Sequence, residues 1–276
     1  MIATGPQLCS IAWAGRPVEI EHQWIEAGPS DGPLLVFLHE GLGSVSMWRD
    51  FPARLCERLG WQGLVYSRPG YGQSTPRPLD QALTPDFLER QAQEVLPALL
   101  QALGVDGTQR PLWLLGHSDG GSIALIHAAR FASRMAGLVV LAPHIMVEDI
   151  SVTSIARARE AYLSTDLRER LARHHRDPDS AFWGWNDVWL SPAFRTWSIE
   201  AMLPAITCPV LAVQGEQDEY GSLQQVFGIA QATSNTAVEV LADCGHSPHK
   251  DQAPALLDRV QRFVSENTAK CLFDKG

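Results

Sequence analysis

Six short apolar runs, at residues 34–38, 63–66, 112–115, 138–141, 210–213 and 238–241, recur along the chain with helical stretches between most of them. Each run is too short for a helix and is bounded by Gly, Pro or polar residues, the pattern of strands buried on both faces. Strands that alternate with helices build a mostly parallel sheet covered on both sides, an α/β fold. The helical stretches carry their own punctuation. Thr84-Pro85-Asp86 offers an N-cap, a proline suited to the first turn and an early acid. Leu88, Ala92, Val95, Leu99 and Leu103 then keep helical spacing up to Gly104, and Pro97 should kink the segment. Near the end of the chain Leu256, Val260, Phe263 and Val264 line one helix face. The first thirty residues alternate weakly, at 11–13 and 18–24, and read as a hairpin broken at Gly15-Arg16-Pro17.

One interval breaks this rhythm. Between Ala142 and Val210 the chain is mostly helical and rich in Arg, His and Trp; four of its nine tryptophans (Trp183, Trp185, Trp189, Trp197) fall within fifteen residues. This segment, residues 145–206, is expected to be a helical cap inserted after the sixth strand and folded over the carboxyl ends of the strands, with residues 1–144 and 207–276 forming the core. Small caps bury little surface, so the tryptophans are expected both to hold it together and to line a pocket. His174-His175, flanked by Arg173 and Arg176, reads as a solvated helix face rather than a metal site. His117 and His127 read as packed or surface histidines, His249 as a helix-start residue or one that supports the site from behind, and Cys244 as packed.

The sequence Gly116-His117-Ser118-Asp119-Gly120 carries the chemistry. The G-x-S-x-G pattern is weak alone, but here it follows the apolar run 112–115 and opens the helix-compatible stretch 122–129. A strand-to-helix turn this tight strains the backbone at the serine, so its neighbours must lack bulk, a need that Gly116, Gly120 and Gly121 meet. A serine hydroxyl at neutral pH needs a base, and the base needs an orienting acid. Acids lie just past the run at 210–213, in Gly215-Glu216-Gln217-Asp218-Glu219, and a histidine lies just past the last run, in Asp243-Cys244-Gly245-His246. The order Ser, acid, His suits such a nucleophile, and all three fall at carboxyl ends of strands, where open sheets gather their ligands.

With these residues in view the chain resembles the α/β-hydrolase superfamily over essentially its whole length, cap excepted. The matching pieces are His39-Glu40-Gly41-Leu42-Gly43, Ser67-Arg68-Pro69-Gly70-Tyr71-Gly72-Gln73-Ser74, the Ser118 turn, 215–218 and Gly245-His246. Glu40 departs from the family pattern, which has Gly after the His. The resemblance implies Ser118 as nucleophile, His246 as general base and then acid, and Asp218 as the orienting acid, with Glu216 and Glu219 as alternatives. It also implies an oxyanion hole from the backbone N–H of Asp119 and of Gly41, with Leu42 as a further donor, and no metal or cofactor. The expected activity is hydrolysis of a small carboxylic ester, lactone or thioester through an acyl-enzyme. A second expectation is carbon–carbon bond hydrolysis of the ring-cleavage type, suggested by the spacing of Trp48 from the oxyanion loop, although Ser247 stands where those relatives carry Trp. A third, of another class, is a slow-turnover or non-catalytic ligand receptor.

Composition narrows the partners. At 45% hydrophobic and 19% charged residues the chain is neither disordered nor collagenous. A formal net charge of −9 disfavours nucleic acid and anionic membrane surfaces, and no apolar run approaches the roughly 20 residues that span a bilayer. Cys9, Cys56, Cys208, Cys244 and Cys271 are scattered and lack CxxC spacing, which suggests a reducing compartment and no structural zinc. The first residues lack the basic and long apolar regions of a signal peptide. A cytoplasmic enzyme of a small-molecule substrate is the expectation; the oligomeric state leaves no mark in the sequence.

Overall fold

A computed structural model describes residues 3–273, with side chains for residues 3–268; the side chain of Cys271 lies outside them. The chain enters through a hairpin, β1 (Gln7–Trp13) and β2 (Arg16–Glu26). Its turn is Ala14-Gly15, both at positive φ, so the break falls earlier than the Gly15-Arg16-Pro17 expected: Arg16 and Pro17 already pair with Trp13 and Ala12. Pro17 is tolerated because this part of β2 pairs only with β1; β4 joins β2 from His22 onward.

The alternating order follows: β3 (Leu34–Leu38), α1 (Phe51–Leu59), β4 (Gln62–Tyr66), α2 (Phe87–Arg90), α3 (Leu96–Ala102), β5 (Leu112–His117), α4 (Asp119–Arg130) and β6 (Gly137–Leu141). After β6 come α5 (Asp149–Ser164), α6 (Leu167–Leu171) and α7 (Pro178–Leu190) before β7 (Val210–Gly215), α8 (Gln224–Ala232), β8 (Thr236–Leu241), α9 (Pro248–Asp251) and α10 (Ala253–Phe273). Among the described residues eight strands form one sheet in the order β1-β2-β4-β3-β5-β6-β7-β8. The β1–β2 and β2–β4 pairs are antiparallel and the rest parallel. This is the α/β-hydrolase fold.

Each central strand feeds two cores. Leu34, Val36 and Leu38 of β3 face one side with Leu114 and Val140, and Leu35 and Phe37 face the other with Leu115 and Val139. Residues buried on both faces explain why these strands are unbroken apolar runs. The last strand differs: β8 is an edge in which only Leu241 is fully buried, so burial on both faces does not extend to it. The stretch read as one kinked helix from Thr84 to Gly104 is three pieces. The helix starts at Phe87, later than Thr84 implies, and residues Gln91–Val95 form a wider π turn before α3. Pro97 has no N–H and its ring crowds the preceding turn, and the widened turn absorbs that clash.

Candidate active site

Only Ser118 separates β5 from α4, and it takes φ 53° and ψ −119°. Such a conformation costs a non-glycine residue about 1–3 kcal/mol and persists only where its surroundings fix it. Here they do: a Cβ on Gly116 would run into the carbonyl of Gly120, and one on Gly120 into that of Leu38. The Ser118 carbonyl then accepts from the N–H groups of Gly121 and Ser122 at 2.8 and 3.0 Å, which starts the helix.

The acid and the histidine meet because Gly215 of β7 pairs with Leu241 of β8, so the loops beyond those strands leave the sheet side by side. His246 Nδ1 donates to Asp218 Oδ1 at 2.8 Å, which leaves Nε2 as its free nitrogen. The N–H groups of Tyr220 and Gly221 also donate to Oδ1, at 2.8 and 3.3 Å, and Gln214 Nε2 donates to Oδ2 at 3.1 Å. Burial pushes the Asp218 carboxyl up, but the hydrogen bond and charge of His246 and the Tyr220 amide outweigh it and hold the group below its ordinary value. Of the alternative acids, Glu216 is exposed and Glu219 accepts from the backbone N–H of His246 at 3.3 Å. His117 Nε2 donates to the His246 carbonyl at 2.7 Å, pinning the histidine loop to the serine turn.

Ser118, His246, Gly41, Leu42 and Asp119 all border one cavity of about 160 Å³, roofed by Ile155, Trp185 and Trp189 from the segment between β6 and β7. Asp218 stands behind His246. The Ser118 hydroxyl makes no hydrogen bond to His246 among the described residues; the two share the cavity wall. The backbone N–H groups of Gly41, Leu42 and Asp119 likewise have no acceptor there, as an oxyanion hole requires. A larger groove of about 530 Å³ around Leu100, Phe131 and Arg134 lies near the opposite ends of the strands and holds none of these groups.

Two buried anchors hold the loop of Gly41 and Leu42. Arg68 and Asp119, each 1% exposed, pair at 3.4 Å; Arg68 Nη2 also donates to the Glu40 carbonyl at 2.8 Å, and Trp189 Nε1 donates to Asp119 Oδ1 at 3.1 Å. The Asp119 side chain thus faces Arg68, not solvent. Burial raises its carboxyl above the ordinary value, and the opposing Arg68 charge and Trp189 hydrogen bond do not cancel the rise. The second anchor corrects an expectation. His175 is not on a solvated face: it is 2% exposed, accepts from the Gly72 N–H at 3.0 Å and donates from Nε2 to the Leu42 carbonyl at 3.0 Å. Removing one partner of a buried ion pair typically costs 3–5 kcal/mol. Arg68→Met is therefore expected to lower unfolding free energy by about that much in urea titrations at pH 7; a loss under about 1 kcal/mol would show that the pair holds nothing.

Three residues of the site went unassigned in the sequence. Glu40, which replaces the family Gly, lies 3.5 Å from His117 Nδ1 and 3.7 Å from Lys250 Nζ. Burial pushes its carboxyl up, but the adjacent His117 ring and the Lys250 charge hold it well below the ordinary range. Gln214 bridges Asp218 and the Gly221 carbonyl, and its one visible signal is a polar residue inside a buried strand end. His144, on the cavity wall, gave no local signal. Of the clustered tryptophans, Trp185 and Trp189 border the cavity, while Trp197 stacks on Phe194 and Trp183 packs edge-on to Tyr162. Among the described residues no group of three His, Cys, Asp or Glu is disposed to hold a metal ion, and no helix is long and apolar enough to cross a membrane.

Comparison with known proteins agrees with the fold. The chain is 27% identical over 231 residues to 2-succinyl-6-hydroxy-2,4-cyclohexadiene-1-carboxylate synthase of Serratia proteamaculans (strain 568), covering 83% of this chain and 82% of that one. It is 26% identical over 268 residues to monoglyceride lipase of Rattus norvegicus, covering 87% and 86%. The crystal structure of proline iminopeptidase from Mycobacterium smegmatis superposes with a TM-score of 0.74 at 18% identity, covering 96% of this chain and all of that one. The profile of the alpha/beta hydrolase family matches residues 35–259, and the chain belongs to that family.

Proposed function

We propose that this hydrolase cleaves a small carboxylic ester, lactone or thioester through an acyl-enzyme on Ser118, with residues 145–206 as the cap that closes the site. The observation that carries the reading is the His246–Asp218 hydrogen bond beside a strained Ser118, with three unpaired backbone amides on the same cavity. In this reading His246 Nε2 takes the Ser118 proton as Oγ attacks the carbonyl carbon. The oxyanion accepts from the amides of Gly41 or Leu42 and of Asp119, which need no reorganisation, and a lost donor of this kind costs roughly 3–4 kcal/mol. Collapse expels the leaving group, which takes the proton from His246; water then repeats the cycle on the acyl-enzyme. The Asp218 carboxylate holds the Nδ1–H tautomer throughout. Arg68 and Trp189 keep the Asp119 carboxylate turned away and compensated, so its charge does not oppose the oxyanion.

The carbon–carbon reading lacks comparable support. Trp48, whose spacing suggested it, is packed among Phe37, Phe51 and His249, and Ser247 rather than a Trp borders the cavity after His246.

Cavity size bounds the substrate. An apolar cavity of about 150 Å³ accommodates benzene, so about 160 Å³ suits a short acyl group. With p-nitrophenyl esters, kcat/KM is expected to fall at least about tenfold from butyrate to octanoate, because methylenes that do not fit must displace packed side chains. Steady turnover and one-to-one fluorophosphonate labelling of Ser118 are expected. A single stoichiometric burst would favour a receptor, activity confined to a dienol ketone would favour carbon–carbon cleavage, and the absence of any label on Ser118 would remove the acyl-enzyme.

A further inference from the structure

Most polar side chains around the cavity are already committed. Asp119 is held by Arg68 and Trp189, the Trp189 indole N–H is spent on Asp119, and His117 is spent on the His246 carbonyl. His117 keeps an unpaired Nδ1, and the Tyr220 and Ser247 hydroxyls on the wall accept and donate nothing among the described residues, but His144 is the buried group there with both ring nitrogens unpaired. It lies just beyond β6, is 2% exposed and borders the cavity, with its ring 5.0 Å from that of Trp189 and 5.9 Å from that of His246. Its backbone is fixed twice over by Ser122, whose Oγ accepts from the His144 N–H at 3.1 Å and donates to the His144 carbonyl at 2.6 Å. Neither ring nitrogen has a hydrogen-bond partner among the described residues, and Nδ1 is shut off from solvent.

Burial, reinforced by the nearby His246, pushes the ring down to about 3, so it is neutral near pH 7. A neutral imidazole carries one N–H donor and one bare acceptor nitrogen. Leaving such atoms unpaired in a protein interior is costly, and native structures seldom do it without a reason. The packing around His144 offers neither nitrogen a partner; Nδ1 is sealed in, so Nε2 is the one that a molecule in the cavity it borders can meet.

We propose that His144 selects the substrate by hydrogen-bonding a hydroxyl or keto oxygen carried close to the scissile carbonyl, so that the preferred substrates are hydroxy- or oxo-substituted esters, lactones or thioesters. The proposal rests on the hydrolase reading above and deepens it. With its ring 5.9 Å from that of His246, the imidazole reaches an oxygen only a few bonds from the reacting carbon. That oxygen can sit on the acyl or the alcohol side, since the imidazole lies beside His246. A site built around such a hydrogen bond discriminates strongly against an analogue that lacks it, because the protein group is then left unpaired.

The test compares substrates of equal shape on each side of the scissile bond. The acyl arm sets phenyl 3-hydroxybutyrate against phenyl 3-methylbutyrate; the alcohol arm sets 2-hydroxyethyl acetate against propyl acetate. The oxygenated member of at least one pair is expected to have a tenfold or greater advantage in kcat/KM. That advantage should fall to near one in His144→Phe, which keeps a ring against Trp189, and return in part in His144→Gln, which restores a donor and an acceptor. A purely packing role would slow both members of a pair alike, leaving the ratio unchanged, and would overturn the proposal. Wild-type ratios near one in both arms would also overturn it, leaving the hydrolase reading intact. Wild-type ratios near one overturn the proposal without any variant, and if His144→Phe does not fold, His144→Leu serves to test the loss of the ratio. If turnover is too slow to measure, protection of Ser118 from a fluorophosphonate by the same esters gives the corresponding ratios of affinity, in which the same hydrogen bond should favour the oxygenated member. Failure of Ser118 to react with any ester or fluorophosphonate would overturn both readings together.

Discussion

Ser118→Ala is expected to lower kcat for an activated ester by about 10⁴–10⁶-fold and to remove all fluorophosphonate labelling, because in the proposed acyl-enzyme route Oγ forms the bond to the acyl group. His246→Ala falls by a similar factor. The double variant is expected to fall no further, since residues that work as one unit lose their contribution together and the residual rate comes from binding and the backbone amides. Asp218→Asn is expected to cost about 10⁴-fold with the fold intact. The reason is local. Oδ1 accepts from His246 Nδ1 and two backbone N–H groups, and Oδ2 accepts from Gln214. An Asn amide group must face a donor whichever way it turns, so the His246 tautomer or the loop has to give. Turnover measured beside far-ultraviolet circular dichroism separates chemistry from folding. A Ser118→Ala protein that keeps more than a tenth of wild-type kcat would rule out attack by this serine.

The parts of the fold legible in the sequence are those fixed by local sterics or by burial on both faces. Central strands are unbroken apolar runs because both sides of the sheet are covered, and the edge strand β8 is the one whose outer residues stay half-buried. The Ser118 turn is legible because its glycines answer clashes within a few residues and with the neighbouring strand. The positions of Asp218 and His246 are legible because each follows a strand end. Long-range hydrogen bonds leave no such mark. His175 is surrounded in sequence by His174, Arg173 and Arg176, yet its partners Gly72 and Leu42 are more than a hundred residues away. One weak clue existed: His175 lies four residues after the buried Leu171 and so shares its side of the turn. His144 and Glu40 owe their surroundings to elements remote in sequence, and no spacing rule reaches them. The π turn before Pro97 was legible as trouble, though not in its form.

Acid should unfold this protein well above the carboxylate range. His127 and His175 are held down to about 4, His144 to about 3 and His249 to about 2, in each case first of all by burial, against an ordinary histidine value of 6.5. His39 is also held well below that value by burial and by the Arg68 charge. The hydrogen bonds demand the neutral ring: His175 Nδ1 accepts from the Gly72 N–H, and His39 Nε2 accepts from the Arg68 N–H at 3.0 Å. A proton on either nitrogen would break that bond and bury a charge. The unfolded chain therefore binds these protons from about pH 6.5 downward while the folded chain does not, so stability is complete above 6.5 and declines as pH falls. Each such group contributes about 1.4 kcal/mol per pH unit once the unfolded state is protonated. Four or five together approach roughly 5–7 kcal/mol per unit, which exhausts a typical margin of about 5–15 kcal/mol within one to three units. Asp119 and Glu89, whose carboxyls are raised by burial, oppose this by two protons at most. Equilibrium unfolding in urea at pH 8, 7, 6 and 5 is expected to give near-equal stabilities at the first two and a steep fall after, with loss of the fold before about pH 4.5. Any one of these histidines replaced by Gln in a chain that still folds should reduce the slope by about one proton. A stability unchanged from pH 7.5 to pH 5 would mean that these rings accept protons in place, and that their burial does not hold them neutral.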